Sequence, residues 1–235
     1  FNDNYITQYE APFLEEQGFL KMDFLGLRNL TIIYSCVDLI NKNHPEANLD
    51  KFHLPYDEKE VYQLISDTQT MGIFQLEGSG MKKAIKILKP DSFDEITKLL
   101  ALYRPGPLDS IKTYALRKQG KERFRYVSND LESVLSSTYG IIVYQEQIND
   151  IARIMAGFSM ADADLFRRAV SKKDKDKLES GRTSFIKGAI SKGYSEKTAT
   201  DVFNHIMKFA EYGFNKSHSV VYAIISSRMA WLKLH

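Results

Sequence analysis

Residues 19–25, Phe-Leu-Lys-Met-Asp-Phe-Leu, form an apolar run that is interrupted by one lysine and one aspartate. Side chains alternate along a strand, so a strand here places Lys21 and Asp23 on one face and Met22 and Phe24 on the other. A carboxylate is costly to bury without a partner. An aspartate held on a strand beside a cation suits a metal ion and the phosphate that the metal binds. The alternative is a half-exposed strand whose Lys21 and Asp23 face water.

The composition is that of a folded protein. The chain has 235 residues, 43% of them hydrophobic and 26% charged, which is enough for one large domain or two small ones. The net charge of +2 favours no partner by itself, so a nucleic-acid surface needs local clusters of lysine and arginine. The single cysteine, Cys36, excludes an internal disulfide and a multi-cysteine metal site. No apolar run approaches the ~18 residues of a membrane-spanning helix. The chain begins at Phe1, and we expect it to be a piece of a longer protein.

Most of the chain after Gly26 has the apolar spacing of helices. Residues 71–76 predict a short extended run, and Arg104-Pro105-Gly106-Pro107 is a strong turn signal. The predicted fold class is mainly α, with a large helical domain attached to a short terminal β element. The predicted helices are 29–41, 58–66, 81–88, 93–102, 145–156, 162–170, one that follows the N-cap residue Ser195, and a last one that begins near Ser219.

Two adjacent arginines, Arg167 and Arg168, make a cationic ridge on the helix predicted at 162–170, together with Lys172 and Lys173. Arginine forks suit phosphate oxygens, although neighbouring helical positions point about 100° apart and cannot face one small anion equally. The alternative is a surface ion pair with Asp164, four residues before Arg168. That pair explains Arg168 better than Arg167.

A second candidate site is the corner Asn215-Lys216-Ser217-His218, just before the predicted helix start at Ser219. The first turn of a helix offers free backbone N–H groups and partial positive charge, which favour phosphate. A packed corner with a hydrogen-bonded histidine is the alternative. The chain shows no nucleophile elbow and no zinc-like histidine spacing, and Gly78-Ser79-Gly80 fits a turn before a helix better than a phosphate loop.

Six blocks of sequence, taken together, closely resemble the catalytic alpha subunit of bacterial DNA polymerase III, a C-family replicative polymerase. They occur in the order of that family and span nearly the whole chain. The matching blocks are 21–28 (KMDFLGLR), 74–77 (FQLE), 104–107 (RPGP), 139–147 (YGIIVYQEQ), 167–169 (RRA) and 212–219 (YGFNKSHS).

The resemblance implies that residues 1–27 are the end of a palm domain, whose core is similar to the polymerase-beta nucleotidyltransferase fold. Residues 28–235 would then be the helical fingers. The resemblance implies the following roles: Asp23 as a catalytic carboxylate that holds magnesium, Arg167, Arg168, Lys216, His218 and Lys21 as contacts to the deoxynucleoside triphosphate, and Arg104, Lys172 and Lys173 as contacts to DNA.

The resemblance also implies an activity and partners. In the complete enzyme, a primer 3′-hydroxyl would attack the α-phosphate of a deoxynucleoside triphosphate on template–primer DNA, with two Mg²⁺ ions assisting. The sliding clamp and other replisome subunits would bind through regions outside this chain, in the bacterial cytoplasm at the nucleoid and without a membrane.

One departure from the family pattern limits the expected activity. The family's other two metal aspartates lie upstream in an Asp-x-Asp motif that nothing here matches, and Asp23 alone cannot build a two-metal site. We therefore expect this chain to be inactive by itself. Two alternatives stay open: a non-catalytic helical module that binds nucleic acid through 112–125 and 167–177, and a purely structural interaction domain.

Overall fold

The mainly α fold class is confirmed. The computed structural model describes residues 5–22, 26–104, 107–171, 175–210 and 213–235. In these residues the chain forms twelve α-helices and three short 3₁₀ helices. The α-helices are α1 (Ala11–Glu16), α2 (Arg28–Asn43), α3 (Lys59–Ser66), α4 (Ser79–Leu88), α5 (Phe93–Leu102), α6 (Leu108–Lys118), α7 (Glu132–Leu135), α8 (Gln145–Ala156), α9 (Met160–Ser171), α10 (Lys175–Ser191), α11 (Glu196–Ala210) and α12 (Lys216–Leu234).

The β element predicted at 19–25 is not formed in its described part. Residues 19–22 have no regular structure, and Phe19, Leu20 and Met22 are 66%, 83% and 65% exposed. A strand needs neighbours in a sheet, and the described residues contain none. The extended run predicted at 71–76 is also wrong. These residues form turns in which Ile73 and Leu76 are both buried, because a spacing of three places both side chains on the same side of a turn.

The first core is the apolar cluster made by helices α3, α4, α5, α6 and α12. Helix α5 lies at its centre, and Ile96, Leu99 and Leu102 on this helix are almost completely buried. Ser92 caps α5 by accepting a hydrogen bond from the Glu95 N–H, as this residue type favours. The last helix, α12, packs most closely on α5 and α3. Burial of these apolar faces holds α12 in place.

The second core is the apolar cluster made by helices α7 to α11. The stripe Val202, Phe203 and Ile206 on α11 is buried, as its helical spacing predicts. Phe166 on α9 stacks on Phe185 of α10 with ring centroids 5.4 Å apart. Helix α9, which carries the two adjacent arginines, is therefore fixed by this core.

An extended segment, residues 141–144, joins the two cores. Ile141 and Val143 lie in the first core and Ile142 in the second, as expected for side chains that alternate along an extended chain. Tyr144 pairs with Phe214 in a parallel bridge. In this bridge the Gln145 N–H donates to the Phe214 carbonyl at 2.9 Å and the Phe214 N–H to the Val143 carbonyl at 3.0 Å. The bridge fixes the chain just before α12 against the start of α8.

The predicted helices are confirmed, and two of them, 93–102 and 145–156, match α5 and α8 at both ends. Four helices were not predicted: α1, α6, α7 and α10. Among the described helices, none has the length and apolar character needed to cross a membrane. The division into a palm end and fingers at residues 27 and 28 stays a prediction.

Candidate functional site

The corner before α12 is built by hydrogen bonds to two side chains. The Asn215 carboxamide accepts a hydrogen bond from the His218 N–H at 2.8 Å, which makes Asn215 the N-cap. The Glu146 carboxylate, at the start of α8, accepts from Asn215 Nδ2 at 3.0 Å and from the Lys216 N–H at 3.1 Å. The sequence places the helix start near Ser219, but the helix begins at Lys216, because Asn215 supplies an earlier cap.

These bonds correct the prediction of free N–H groups for phosphate at this corner. The amides of Lys216 and His218 are already bound to Glu146 and Asn215. The negative charge of Glu146 also occupies the position at which the helix dipole would favour an anion. In this first turn only the Ser217 amide has no hydrogen-bond acceptor among the described residues, so contacts of this corner with an anionic ligand would rest mainly on side chains. Lys216 Nζ lies 5.6 Å from the ring centroid of Tyr144, and the Lys216 side chain is exposed.

A cleft of about 160 Å³ lies beside this corner and brings two predicted site residues together. Arg104 lies over the ring of Phe214, with the guanidinium carbon 4.6 Å from the centroid. The ring of His218 lies 4.1 Å from that of Tyr222 and 5.3 Å from that of Phe214, centroid to centroid. The cleft therefore combines a guanidinium, an imidazole and aromatic faces. Such a combination can bind a planar or anionic group.

Tyr103 lines the same cleft and reaches it because of a glycine. A Cβ atom on Gly80 would lie 2.1 Å from the Tyr103 hydroxyl oxygen. Gly80 lies in the first turns of α4, so only a residue without a side chain lets the phenol lie against this helix. This close approach explains why residue 80 is a glycine. The sequence alone predicts only a turn before a helix at Gly78-Ser79-Gly80.

Arg167 and Arg168, on α9, bind the same carboxylate. Arg167 Nη2 lies 2.7 Å from Oδ1 of Asp164, and Arg168 Nε lies 2.7 Å from Oδ2. The hydrogen bond from Arg167 holds the pKa of Asp164 below its usual value, and the charges of both arginines add to this. The two arginines reach different oxygens of this carboxylate, and Arg167 donates to Oδ1 from both Nε and Nη2, which agrees with the expectation that they do not face one small anion equally. The ion pair with Asp164 thus involves both arginines, and neither lines the cleft.

The basic segment 112–125 uses two of its cations internally. Arg117 binds Glu122 at 2.8 Å and the Tyr139 carbonyl at 2.9 Å. Lys118 Nζ lies 3.1 Å from Asp91 and 3.3 Å from the buried Glu95. These contacts tie α6 to α5 and to the segment before α8, so this part of the basic segment is structural.

Residues 29–193 match the family model described as bacterial DNA polymerase III alpha subunit finger domain. This chain belongs to that family. Among curated proteins, the chain is 48% identical over 231 residues to DNA polymerase III subunit alpha of Bacillus subtilis, which covers 98% of the chain and 21% of the relative. It is also 48% identical to the corresponding subunit of Aquifex aeolicus, over 97% of the chain and 20% of the relative. The chain spans about a fifth of the length of these relatives.

In this finger-domain chain, Lys21 is not among the residues that line the cleft, and three other predicted site residues are outside the described part of the chain. Asp23, Lys172 and Lys173 lie outside the described residues. Lys21 is exposed in a segment without regular structure. Within the described ranges, no group of three or more histidine, cysteine, aspartate or glutamate side chains could hold a metal ion.

Sequence reasoning missed three polar residues of the finger-domain site. Glu146 holds the corner, as described above. The buried Gln147 accepts from the Val143 and Tyr144 N–H groups at 2.8 and 2.9 Å, and it donates to Thr138 Oγ1 at 2.9 Å. Gln75 lines the cleft. All three lie in blocks that carry the family resemblance, and a charged or amide residue within each block was the available signal.

Proposed function

We propose that this chain is the fingers part of a DNA-directed DNA polymerase, where it binds the incoming deoxynucleoside triphosphate and template–primer DNA. The observation that carries the proposal is the meeting of Arg104 and His218 in one cleft, with Lys216 at the same corner. These residues come from distant blocks of a finger-domain chain, and the fold gathers them around aromatic faces. The relatives' name as DNA polymerase III subunits supports the activity.

In this proposal Arg167 and Arg168 bind phosphate oxygens of the triphosphate. Support comes from their geometry on Asp164, where two guanidinium groups hold the two oxygens of one anion at 2.7 Å each. A phosphate group offers the same planar forks a similar pair of oxygens. The triphosphate would have to compete with Asp164 for these groups. His218 would lie against the sugar, and Arg104 would contact DNA.

Magnesium belongs to the proposal as a cofactor of the complete enzyme. The described residues do not supply a ligand set for it. In the proposal Asp23 would be one ligand, and the others would come from the family's upstream Asp-x-Asp motif. Mg²⁺ requires near-octahedral oxygen coordination, which one carboxylate cannot provide. We accordingly propose that the chain alone is inactive. In the full-length polymerase, we expect Asp23→Asn to abolish incorporation and to leave DNA binding intact.

The test of the nucleotide site is His218→Ala in the full-length polymerase. We expect kcat/KM for deoxynucleotide incorporation to fall roughly tenfold, from the loss of about 1.4 kcal/mol of contact to the bound nucleotide. His53→Ala is the matched control, because His53 is exposed and binds only Asp50, at 2.6 Å, among the described residues. It should leave incorporation unchanged.

Two outcomes would contradict the proposal. If the His218 variant and the wild type incorporate nucleotides equally well, the cleft does not contribute to nucleotide binding. A full-length wild-type protein that binds DNA with an affinity that falls linearly on a log–log salt plot, yet incorporates nothing with Mg²⁺ present, would support the non-catalytic nucleic-acid-binding module.

A further inference from the structure

Gln75 has a backbone conformation that its residue type seldom adopts. Its φ is +64°, in the left-handed region where a residue with a side chain is strained by about 1 kcal/mol or more. Glycine would adopt this conformation without strain. Strain of this kind persists only where the surrounding structure fixes it.

Two buried hydroxyl groups fix the backbone on both sides of Gln75. Thr70 Oγ1 donates to the carbonyl of Leu76 at 2.6 Å, and Ser226 Oγ donates to the carbonyl of Phe74 at 2.8 Å. Thr70 and Ser226 are both fully buried. The carbonyls before and after Gln75 are therefore anchored to the first core, and the residue between them is held outward.

The anchored turn places Gln75 beside the residues of the proposed nucleotide site. Gln75 lines the cleft together with Arg104 and His218. Phe74, its neighbour, packs on Tyr222 with centroids 5.0 Å apart, and Tyr222 packs on His218. The Gln75 side chain is exposed and forms no hydrogen bond with the part of the chain that the structure describes. Its carboxamide can both donate and accept.

The size of the cleft points to one part of a nucleotide. A space of about 160 Å³ is smaller than the roughly 300 Å³ at which sites for whole small molecules begin. It suits a single ring. The groups around it include a carboxamide, the Tyr103 phenol and aromatic faces, which match a sugar ring with a hydroxyl group. The 3′-hydroxyl is the only hydroxyl group on the sugar of a deoxynucleoside triphosphate.

We propose that Gln75 is a substrate-binding residue whose carboxamide hydrogen-bonds the 3′-hydroxyl of the incoming deoxynucleotide in this cleft. This inference rests on the proposed function and adds a specificity-determining contact to it. The contact gives a reason for a strained glutamine at a position where glycine would be more stable.

The test compares Gln75→Gly with the wild type in the full-length polymerase, using deoxynucleotides and 2′,3′-dideoxynucleotides. We expect kcat/KM for the deoxynucleotide to fall three- to tenfold, as for the loss of one hydrogen bond. The dideoxynucleotide should be incorporated as before, because it lacks the hydroxyl group. The preference for deoxynucleotide over dideoxynucleotide therefore falls by the same factor. A fall in kcat/KM that requires both the Gln75 side chain and the 3′-hydroxyl of the substrate is specific to the contact between these two groups.

Lys89→Gly is the matched control. Lys89 is an exposed non-glycine residue with a φ of +50° at the end of α4, and it does not line the cleft. Both variants should raise the thermal midpoint by relieving strain, but only Gln75→Gly should change the substrate preference. An unchanged preference in Gln75→Gly, while incorporation still depends on His218, would overturn this inference alone. Absence of incorporation by the wild type would overturn the proposed function as well.

Discussion

At the scale of single residues, Asp164 shows how one acidic side chain holds two neighbouring arginine side chains in place. Its two oxygens bind Arg167 and Arg168 separately. Arg167 is the less exposed of the two, at 17% against 62%. A partly buried guanidinium loses less side-chain entropy when it binds a ligand. Under the proposed function, Arg167 would therefore lose less side-chain entropy than Arg168 on binding a triphosphate.

We expect Arg167→Ala in the full-length polymerase to raise the apparent KM for deoxynucleotide or lower kcat by roughly ten- to a hundredfold. The reason is the loss of one or two charged hydrogen bonds to phosphate, each worth about 1.5–3 kcal/mol. Steady-state kinetics with varied nucleotide concentration would measure it. Arg182→Ala is the control, since Arg182 on α10 forms the same kind of pair with Glu179, three residues earlier, at 3.6 Å. Unchanged nucleotide dependence in Arg167→Ala would assign Arg167 to a structural ion pair.

Residue types alone drew attention to His218, which lines the cleft, but also to the arginine pair, which does not line it. The arginine pair, Lys216 and His218 stand out in the sequence because charged residues are clustered at a helix and at a corner. The backbone strain at Gln75 could not be predicted from the sequence. The hydroxyl groups of Thr70 and Ser226 that hold this turn are 156 residues apart in the chain. Only the folded chain brings these two side chains to the same turn.

At the scale of elements, the start of α12 depends on the start of α8. The backbone pairing of Tyr144 with Phe214 and the carboxylate of Glu146 both cross this junction. On the α8 side, Gln147 is buried, with only 6% of its surface exposed. Its carboxamide forms the hydrogen bonds to Val143, Tyr144 and Thr138 described above. The position of His218 is therefore set by residues about seventy positions earlier in the chain.

We expect Glu146→Ala to weaken the first turn of α12 in the full-length polymerase. The variant loses the acceptor for Asn215 and for the Lys216 amide, and a hydrogen bond to a charged group contributes about 1.5–3 kcal/mol. Hydrogen exchange should show faster exchange of the amides of residues 216–219, together with a lower rate of incorporation.

Asp150→Ala is the control for this prediction. Asp150 lies one turn further along α8 and pairs with Arg153 at 3.3 Å. It should leave exchange at 216–219 unchanged. Equal exchange in the two variants would mean that the backbone bridge alone fixes the corner.

Helix boundaries show what periodicity can predict at this scale. Helix α5 was predicted at both ends, because its apolar spacing is local and the turn signal Arg104-Pro105-Gly106-Pro107 follows it closely in the sequence. The start of α12 was placed three residues late, because the hydrogen bonds that extend it come from Asn215 and from Glu146 on another helix. Local sequence does not contain the second of these partners.

At the scale of the whole molecule, a cavity of about 680 Å³ lies between the two cores. His205, on α11, is one of its lining residues. Burial lowers the pKa of His205, and the charges of Lys208 and Arg117 act in the same direction, against a backbone hydrogen bond with Gly140. The Nε2 atom is buried without a hydrogen-bond partner among the described residues. The imidazole is therefore favoured in its neutral form.

We expect the junction of the two cores to lose stability as the pH falls below about 6.5, the ordinary pKa of histidine. The unfolded chain then binds a proton that the folded chain resists, so the free energy of unfolding falls until the pH is below the folded pKa. Hydrogen exchange of α11 between pH 7.5 and 5.5 would measure this. His205→Gln does not titrate and should show a smaller change, whereas an equal change in both proteins would assign the effect to other groups.

The mainly α class was predicted correctly from the whole sequence. The strand predicted at 19–25 was not found in its described part. A strand is a property of a sheet, and residues 19–22 have no neighbouring strand in the described part of the chain. Helices close their hydrogen bonds within one segment, so a chain that spans a fifth of its relatives still shows them. This difference explains why helical predictions were confirmed and the β element was not.

The contact between α12 and α5 also affects how this chain is made on the ribosome. Ser219 binds the carbonyl of Thr97, 122 residues earlier. At 5–20 residues per second, translation of that interval takes about 6–24 s. During this time the apolar face of α5 that α12 later covers is open to water on the nascent polypeptide. A chaperone that shields this face would protect the newly made chain from association with its neighbours until α12 emerges.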